Sequence, residues 1–289
     1  MENKATIFDF QAEVGLTKQL GGLKTTEELV ELCHIDQGKY VLDVGCGVGL
    51  TPCYLAKKYG CRVVGVDIRA RMIDRAKERA KKEAVEALVE FRVADAQDLP
   101  FDDDLFDAVI CESVIAMVPD RQRAVNEYVR VTRRPGGYVG VLESTWLKTP
   151  PPAEMIEWVG QDLSGNAQLL SADGWTGLLK DAGLSDIVAR TYPIDARNEA
   201  INTMKRYGLR NLPRVWARSL AMYIRNPASL VTIKRAGSAP KNLFEYFGYG
   251  IYVGQKMEGV PTRVAHPVAR KCDIGPPDPP ILGGTAALP

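Results

Sequence analysis

The sequence predicts an α/β protein built on a doubly wound parallel sheet. Three observations predict it. Strand-like and helix-like segments alternate through the first 145 residues, one strand runs straight into a glycine-rich turn, and an acid stands at the end of the next strand. At 289 residues the chain has the length of one large domain or two small ones.

The elements follow in order. Thr25 or Thr26 is expected to cap a helix through about Cys33, with Glu28 as the capping-box acid three residues on from Thr25. Tyr40 to Val44 is an apolar run ending in glycines, as a buried parallel strand reads. A helix is expected from Thr51 to Tyr59, with Pro52 tolerated in its first turn. Arg62 to Val66 is a second strand, and Arg69 to about Val85 a charged amphipathic helix. Val89 to Val93 and Phe106 to Cys111 are strands three and four. Arg121 to Thr132 is a helix stopped by Pro135-Gly136-Gly137, and Tyr138 to Leu142 is strand five. Right-handed crossovers then give one parallel sheet with helices on both faces.

Beyond residue 145 the rhythm loosens. A connector over 146–172 carries Pro150-Pro151-Pro152. Asp173 to Ala182 reads as a helix closed by Gly183, Asp186 to Tyr192 as strand six, and Tyr249 to Lys256 as strand seven. The domain reading is 1–194 with 246–259 as the body, 195–245 as a helical insert, and 260–289 as an extended, proline-rich tail.

The formal charge is +1, from 37 basic and 36 acidic residues, which does not indicate a strongly basic nucleic-acid binder. The balance hides an asymmetry: residues 200–244 hold nine bases and no acid, whereas 1–199 hold 24 bases and 32 acids. No apolar run approaches the roughly 18 residues of a membrane span, and the first residues show no secretory pattern, so a cytoplasmic protein is expected. The six cysteines form no CxxC pair and read as reduced, packed thiols. With two histidines, a His-rich metal site is not expected.

The chemistry sits in Val41-Leu-Asp-Val-Gly-Cys-Gly-Val-Gly49, a strand entering a G-x-G-x-G turn. Asp67, 18 residues after Gly49, ends the next strand, where a carboxylate can accept both hydroxyls of a ribose. The dinucleotide fingerprint needs a glycine at the sixth position, and Leu50 stands there. Asp43, inside the strand, would repel a pyrophosphate but hold an ammonium. A nucleoside with a cationic amino-acid end fits that combination.

At these residues the sequence resembles the class I S-adenosylmethionine-dependent methyltransferases, in their UbiE-like small-molecule branch. The resemblance spans roughly residues 38–143 through VLDVGCGVG (41–49), VVGVDI (63–68), VADAQDLPFDDDLFDAVICESV (93–114) and RRPGGYVGVLE (133–143). It implies a seven-stranded Rossmann-like sheet of order 3-2-1-4-5-7-6, with the insert between strands six and seven. It implies S-adenosyl-L-methionine as cofactor and S-adenosyl-L-homocysteine as product. Asp43, Gly45, Cys46, Gly47 and Gly49 would lie under the methionine part, Asp67 would hold the ribose, and Ile68 would pack on the adenine. Asp95 would accept from the adenine amino group beside Ala96. Cys111 and Glu112 would end the fourth strand where the methyl group faces its acceptor.

Glu112 is the candidate catalytic residue, as a base or an orienting group, against a plain role in the cofactor pocket. Glu143 also points to the crevice at the sheet's carboxyl ends. His34 reads as a helix-end complement before it reads as a base. Within the basic insert, Pro213 to Arg225 forms an amphipathic pattern with arginines on one face and Trp216, Leu220 and Tyr223 on the other. A solvated lid face, a peripheral contact with anionic lipid, and a phosphorylated or nucleic-acid ligand remain open for it. The functional expectation is methyl transfer by direct displacement to a small hydrophobic acceptor of quinone, lipid or phenol type, with no nucleic-acid partner. Nucleic-acid methylation is disfavoured because Cys-Glu-Ser-Val (111–114) replaces the Asn/Asp-Pro-Pro-aromatic turn of that branch. A non-catalytic cofactor-binding module on the same fold is the other alternative.

Overall fold

The computed structural model describes residues 21–162, 168–194, 240 and 242–258. Most of the basic 200–244 segment and all of the proline-rich tail lie outside the described residues, so the readings placed on them do too.

Seven long strands form one sheet: β1 Tyr40–Val44, β2 Arg62–Asp67, β3 Val89–Val93, β4 Ala108–Glu112, β5 Tyr138–Trp146, β7 Ser185–Pro193 and β8 Phe247–Gln255. A two-residue strand, β6 Leu170–Ser171, pairs with the end of β5. The order is β3-β2-β1-β4-β5-β8-β7. With β6 set aside, that is the expected 3-2-1-4-5-7-6. The first five long strands are parallel, and β8 runs antiparallel between β5 and β7.

The apolar strands are explained by burial on both faces. In β4, Val109 and Cys111 face one layer with Tyr128, whereas Ala108 and Ile110 face the other with Leu29 and Leu55. The helices supplying these layers are α1 Gly22–Leu32, α2 Leu50–Tyr59, α3 Ala70–Glu83, α4 Arg121–Val131, α5 Ala153–Asp162 and α6 Ala172–Asp181, with a single turn, α7 Leu243–Tyr246, before β8.

Three local expectations are corrected. The first helix starts at Gly22, after a left-handed Gly21, with no side-chain cap. Thr25 instead donates to Gly22 O at 2.8 Å, and Glu28 accepts from Arg190 and Tyr192 across the fold. Strand five runs four residues further than expected, to Trp146, because β8 pairs with its whole length (Trp146 opposite Phe247). The connector contains a helix, α5, beginning directly after the three prolines, where proline is compatible with a helix start.

Candidate functional site

The residues expected to form the site meet at the carboxyl edge of the sheet, where β1, β2 and β4 end. β1 delivers the chain into a turn whose glycines 45, 47 and 49 all have positive φ (79°, 52° and 76°). Two of them are required by the protein's own packing rather than by a ligand's approach. A Cβ on Gly45 would lie 2.2 Å from Val114 Cγ2, and one on Gly49 would lie 2.8 Å from Ala76 Cβ.

Asp67 ties the turn to β2. Its Oδ2 accepts from Gly47 N at 3.1 Å and its Oδ1 from Arg69 N at 2.9 Å. Each oxygen keeps a second lone pair for a ligand hydroxyl. Ile68 and Val93, at the tips of neighbouring strands, are 64% and 53% exposed. Two large apolar side chains left open beside a carboxylate are suited to a flat base with a ribose attached.

Asp43 is buried under the turn, with no hydrogen-bond donor on its carboxylate among the described residues. Burial first, then the fields of Glu112 and Asp67, push its carboxyl well above the usual range. Burial also raises Asp67, against the lowering by its two backbone donors. Glu112, at the tip of β4, is held from two sides: Oε2 accepts from Thr26 of α1 at 3.0 Å and Oε1 from Thr51 of α2 at 2.9 Å. Three carboxylates around one turn would repel an anion and stabilise a cation.

Asp95 and Ala96 follow β3, and Ala94 N donates to Asp67 O at 3.1 Å, which sets this loop beside the tip of β2. Asp95 Oδ1 is engaged by Gln97 through its backbone N at 2.9 Å and its amide at 3.1 Å. The side chains of Cys46 and Cys111 do not face the crevice. Cys46 packs with Cys53, Ala76 and Phe91, and Cys111 lies in the core under the Tyr128 hydroxyl at 3.6 Å. Burial pushes both thiols up, away from reactivity.

Glu143 has an anchoring role that sequence alone missed. Its Oε1 accepts from the backbone N–H of Val114 and Ile115 at 2.6 Å, and of Ala116 at 3.4 Å, fixing the short 3₁₀ turn Ile115–Met117 after β4. Burial pushes its carboxyl up to about 7 in spite of those donors. His34 stands at the other end of the sheet, left-handed (φ 50°) just past α1, with its ring 5.0 Å from that of Tyr138. The part Thr26 and Thr51 play at Glu112 has no sequence signal, because Glu112 is 86 and 61 residues away from them.

A cofactor of the nucleoside-sulfonium kind fits these residues on the chemistry of the donor set. Asp67 would take the ribose, Ile68 and Val93 the base, and Asp43 with Glu112 the ammonium.

Comparison with known proteins agrees. The methyltransferase domain family matches residues 42–141. The chain is 32% identical over 207 residues to methyltransferase GfsG of Streptomyces halstedii, covering 68% of this chain and 74% of that one. It is 34% identical over 188 residues to phosphoethanolamine N-methyltransferase 1 of Arabidopsis thaliana, covering 64% of this chain but 36% of the relative. Thus the chain spans about a third of the length of the plant proteins it matches. Among solved structures, phosphoethanolamine N-methyltransferase 2 of Haemonchus contortus with S-adenosyl-L-methionine superposes with a TM-score of 0.69 at 19% identity, over 89% of this chain and 59% of that one. The [4+2]-cyclase SpnF gives 0.67 at 23% identity, over 82% of each. These two likenesses concern the fold. A glycine turn pinned by an acid at the next strand's tip, on a sheet of this order, and relatives that share most of its length converge: the chain belongs to the class I S-adenosylmethionine-dependent methyltransferase family.

Proposed function

We propose that the chain transfers a methyl group from S-adenosyl-L-methionine to a small organic acceptor, in the manner of the small-molecule branch of its family. The cofactor supplies, when bound, a methyl group on a sulfonium that a lone pair on the acceptor displaces directly. The chain's own contribution is orientation. Asp67 grips the ribose and keeps the turn closed through Gly47 and Arg69. Asp43 and Glu112 hold the ammonium end, and the Thr26 and Thr51 hydroxyls keep Glu112 aimed. Glu112 is thereby a binding group as much as a base.

The observation that carries this reading is the Asp67 carboxylate, bonded at 3.1 Å to the N–H in the middle of the glycine turn. An apolar acceptor body is supported by aromatic side chains at the same sheet edge: Trp146 and Phe247 pack edge to face at 6.3 Å, with Trp158 and Tyr246 against the same cluster. Isothermal titration with S-adenosyl-L-homocysteine tests the reading. Saturable binding that Asp67→Ala weakens by about a hundredfold supports it, and binding indifferent to that change breaks it.

The second reading is a different reaction on the same fold. A structural neighbour is named as a [4+2]-cyclase, so the fold alone does not fix the chemistry. Methyl consumption assayed against a panel of phenols, quinols and amines separates the two.

A further inference from the structure

Among the described residues, three donors near the carboxyl edge are sealed from solvent without an acceptor: Ser113 Oγ, Arg121 Nε and Trp158 Nε1. Each such group costs on the order of 1–3 kcal/mol, so their neighbourhood needs a reason. Ser113 follows Glu112 directly and is held left-handed (φ 61°) by its N–H on Leu142 O at 2.7 Å. Arg121 opens α4, on the far side of the 3₁₀ turn. Gln168 links the region: its N–H donates to Ala116 O at 3.2 Å, and its Oε1 accepts from Arg121 Nη2 at 3.2 Å. Leu169, next in the chain, packs in the cluster that Trp158 lies against.

Arg121 is the telling residue. It is half-buried, and no Asp or Glu among the described residues forms an ion pair with it. It also occupies the first position of a helix, the positive end of the dipole, where a cation is disfavoured. Burial pushes its guanidinium below the ordinary value, and only the field of Glu143 acts the other way. Neither nearby acid is spare. Glu143 Oε1 already takes three backbone donors, and Asp120 caps the helix by accepting from Arg123 N at 2.9 Å. The neutral amide oxygen of Gln168, an exposed residue, occupies the place of a counter-ion.

We propose that Arg121 binds an oxyanion carried by the acceptor (a phosphate, sulfate or carboxylate group), with the hydroxyl of Ser113 and the indole of Trp158 as further donors. The inference rests on the methyl-transfer reading of this site. All three groups donate, and neither the two nitrogens (Arg121 Nε and Trp158 Nε1) nor the Ser113 hydroxyl has an acceptor among the described residues, so the matching ligand group is rich in acceptor oxygens. Arg121 is partly exposed, so an anion meets its guanidinium first and displaces the Gln168 amide, a weaker acceptor. Because the covered state leaves Ser113 and Trp158 unsatisfied, uncovering them is favoured once an acceptor oxygen is at hand.

The test uses the full chain saturated with S-adenosyl-L-homocysteine and titrated with phenyl phosphate, benzoate and phenol. Phenyl phosphate or benzoate is expected to bind at least about tenfold more tightly than phenol, and the stronger of the two names the oxyanion. Arg121→Met lowers the anion's affinity by about tenfold while leaving phenol and S-adenosyl-L-homocysteine unchanged, and Lys148→Ala, an exposed cation on the same edge, changes little. Ser113→Ala, a milder change, lowers anion affinity in the same direction and serves if Arg121→Met does not fold. Equal binding of phenol and the anions, or anion binding indifferent to both variants, overturns the proposal and leaves methyl transfer standing. Failure to bind S-adenosyl-L-homocysteine at all overturns both.

Discussion

The two edges of the sheet treat buried charge in opposite ways. At the amino edge, charges meet their opposites. Lys256, 1% exposed, donates to Asp104 at 2.7 Å and to the carbonyls of Thr132 and Arg130 at 2.8 and 3.2 Å. Arg130 spends its guanidinium on Glu127, Asp103 and the carbonyls of Leu99 and Phe101, all within 2.9 Å. At the carboxyl edge, no described Lys or Arg forms an ion pair with Asp43, Asp67 or Glu143, and burial drives all three carboxyls up. A paired network holds loops in place and is finished when the chain folds. Asp43 and Asp67 beside the glycine turn, and Arg121 a short way along the same edge, have no ion-pair partner among the described residues, which suits a site that a ligand of either charge would finish.

The largest expected effect is at the finished edge. Arg130→Met leaves Glu127 buried without its cation and lowers unfolding free energy by about 3–5 kcal/mol, read from urea midpoints. The protein that remains folded keeps its affinity for S-adenosyl-L-homocysteine. A parallel loss of affinity would mean that the two edges are not separable.

Next comes Glu143, whose titration is a property of the open edge. Its carboxyl moves from an ordinary 4.5 to about 7 on folding. The folded chain therefore keeps a proton that the unfolded chain has released. The stability this confers is full below pH 4.5, declines through the window up to 7, and is gone above it, a change of roughly 3 kcal/mol. Glu143→Gln keeps an acceptor oxygen for Val114 and Ile115 but cannot titrate. Stability of the variant relative to the parent is expected to rise across that window, and a flat difference between pH 4 and 8 would refute it.

Asp67→Ala is expected to weaken S-adenosyl-L-homocysteine by about a hundredfold, since two charge-assisted hydrogen bonds to the ribose go with it. Unfolding should change far less than for Arg130→Met. Thr26→Val is the smallest and most local change. It removes one hydroxyl from Glu112 and should weaken the cofactor about fivefold. Thr26→Ser restoring the affinity would separate orientation of Glu112 from simple packing of α1.

Much of this was legible in the sequence, for a physical reason. Parallel strands covered on both faces announce themselves as short apolar runs, and a turn of left-handed residues needs glycine at fixed places, so β1 to β5 and the 45–49 turn could be read locally. The place of Asp67 at the tip of β2, against the turn, was legible because it is set by a spacing from the glycines. What failed was set by distant partners. The extra length of β5 comes from β8, a hundred residues on. Thr25, Thr26 and Glu28 look like cap residues at short range, yet two of them serve Glu112 and Arg190. Glu143 was placed at the carboxyl edge, but its anchoring of Val114 and Ile115 was not, because those N–H groups belong to a turn that leaves no signature.

The helix α1 touches both worlds. Its first turns reach Glu112 through Thr26, and its last residue leads to His34 against Tyr138 at the opposite end. Fraying of this helix would release the grip on Glu112, so on the proposed reading an ammonium seated there would hold the helix wound. Reciprocity would then have occupancy slow the amide exchange of residues 26–32 by the same factor by which a melted α1 would loosen the ligand. On that reading the segment would report whether the nucleoside is in place.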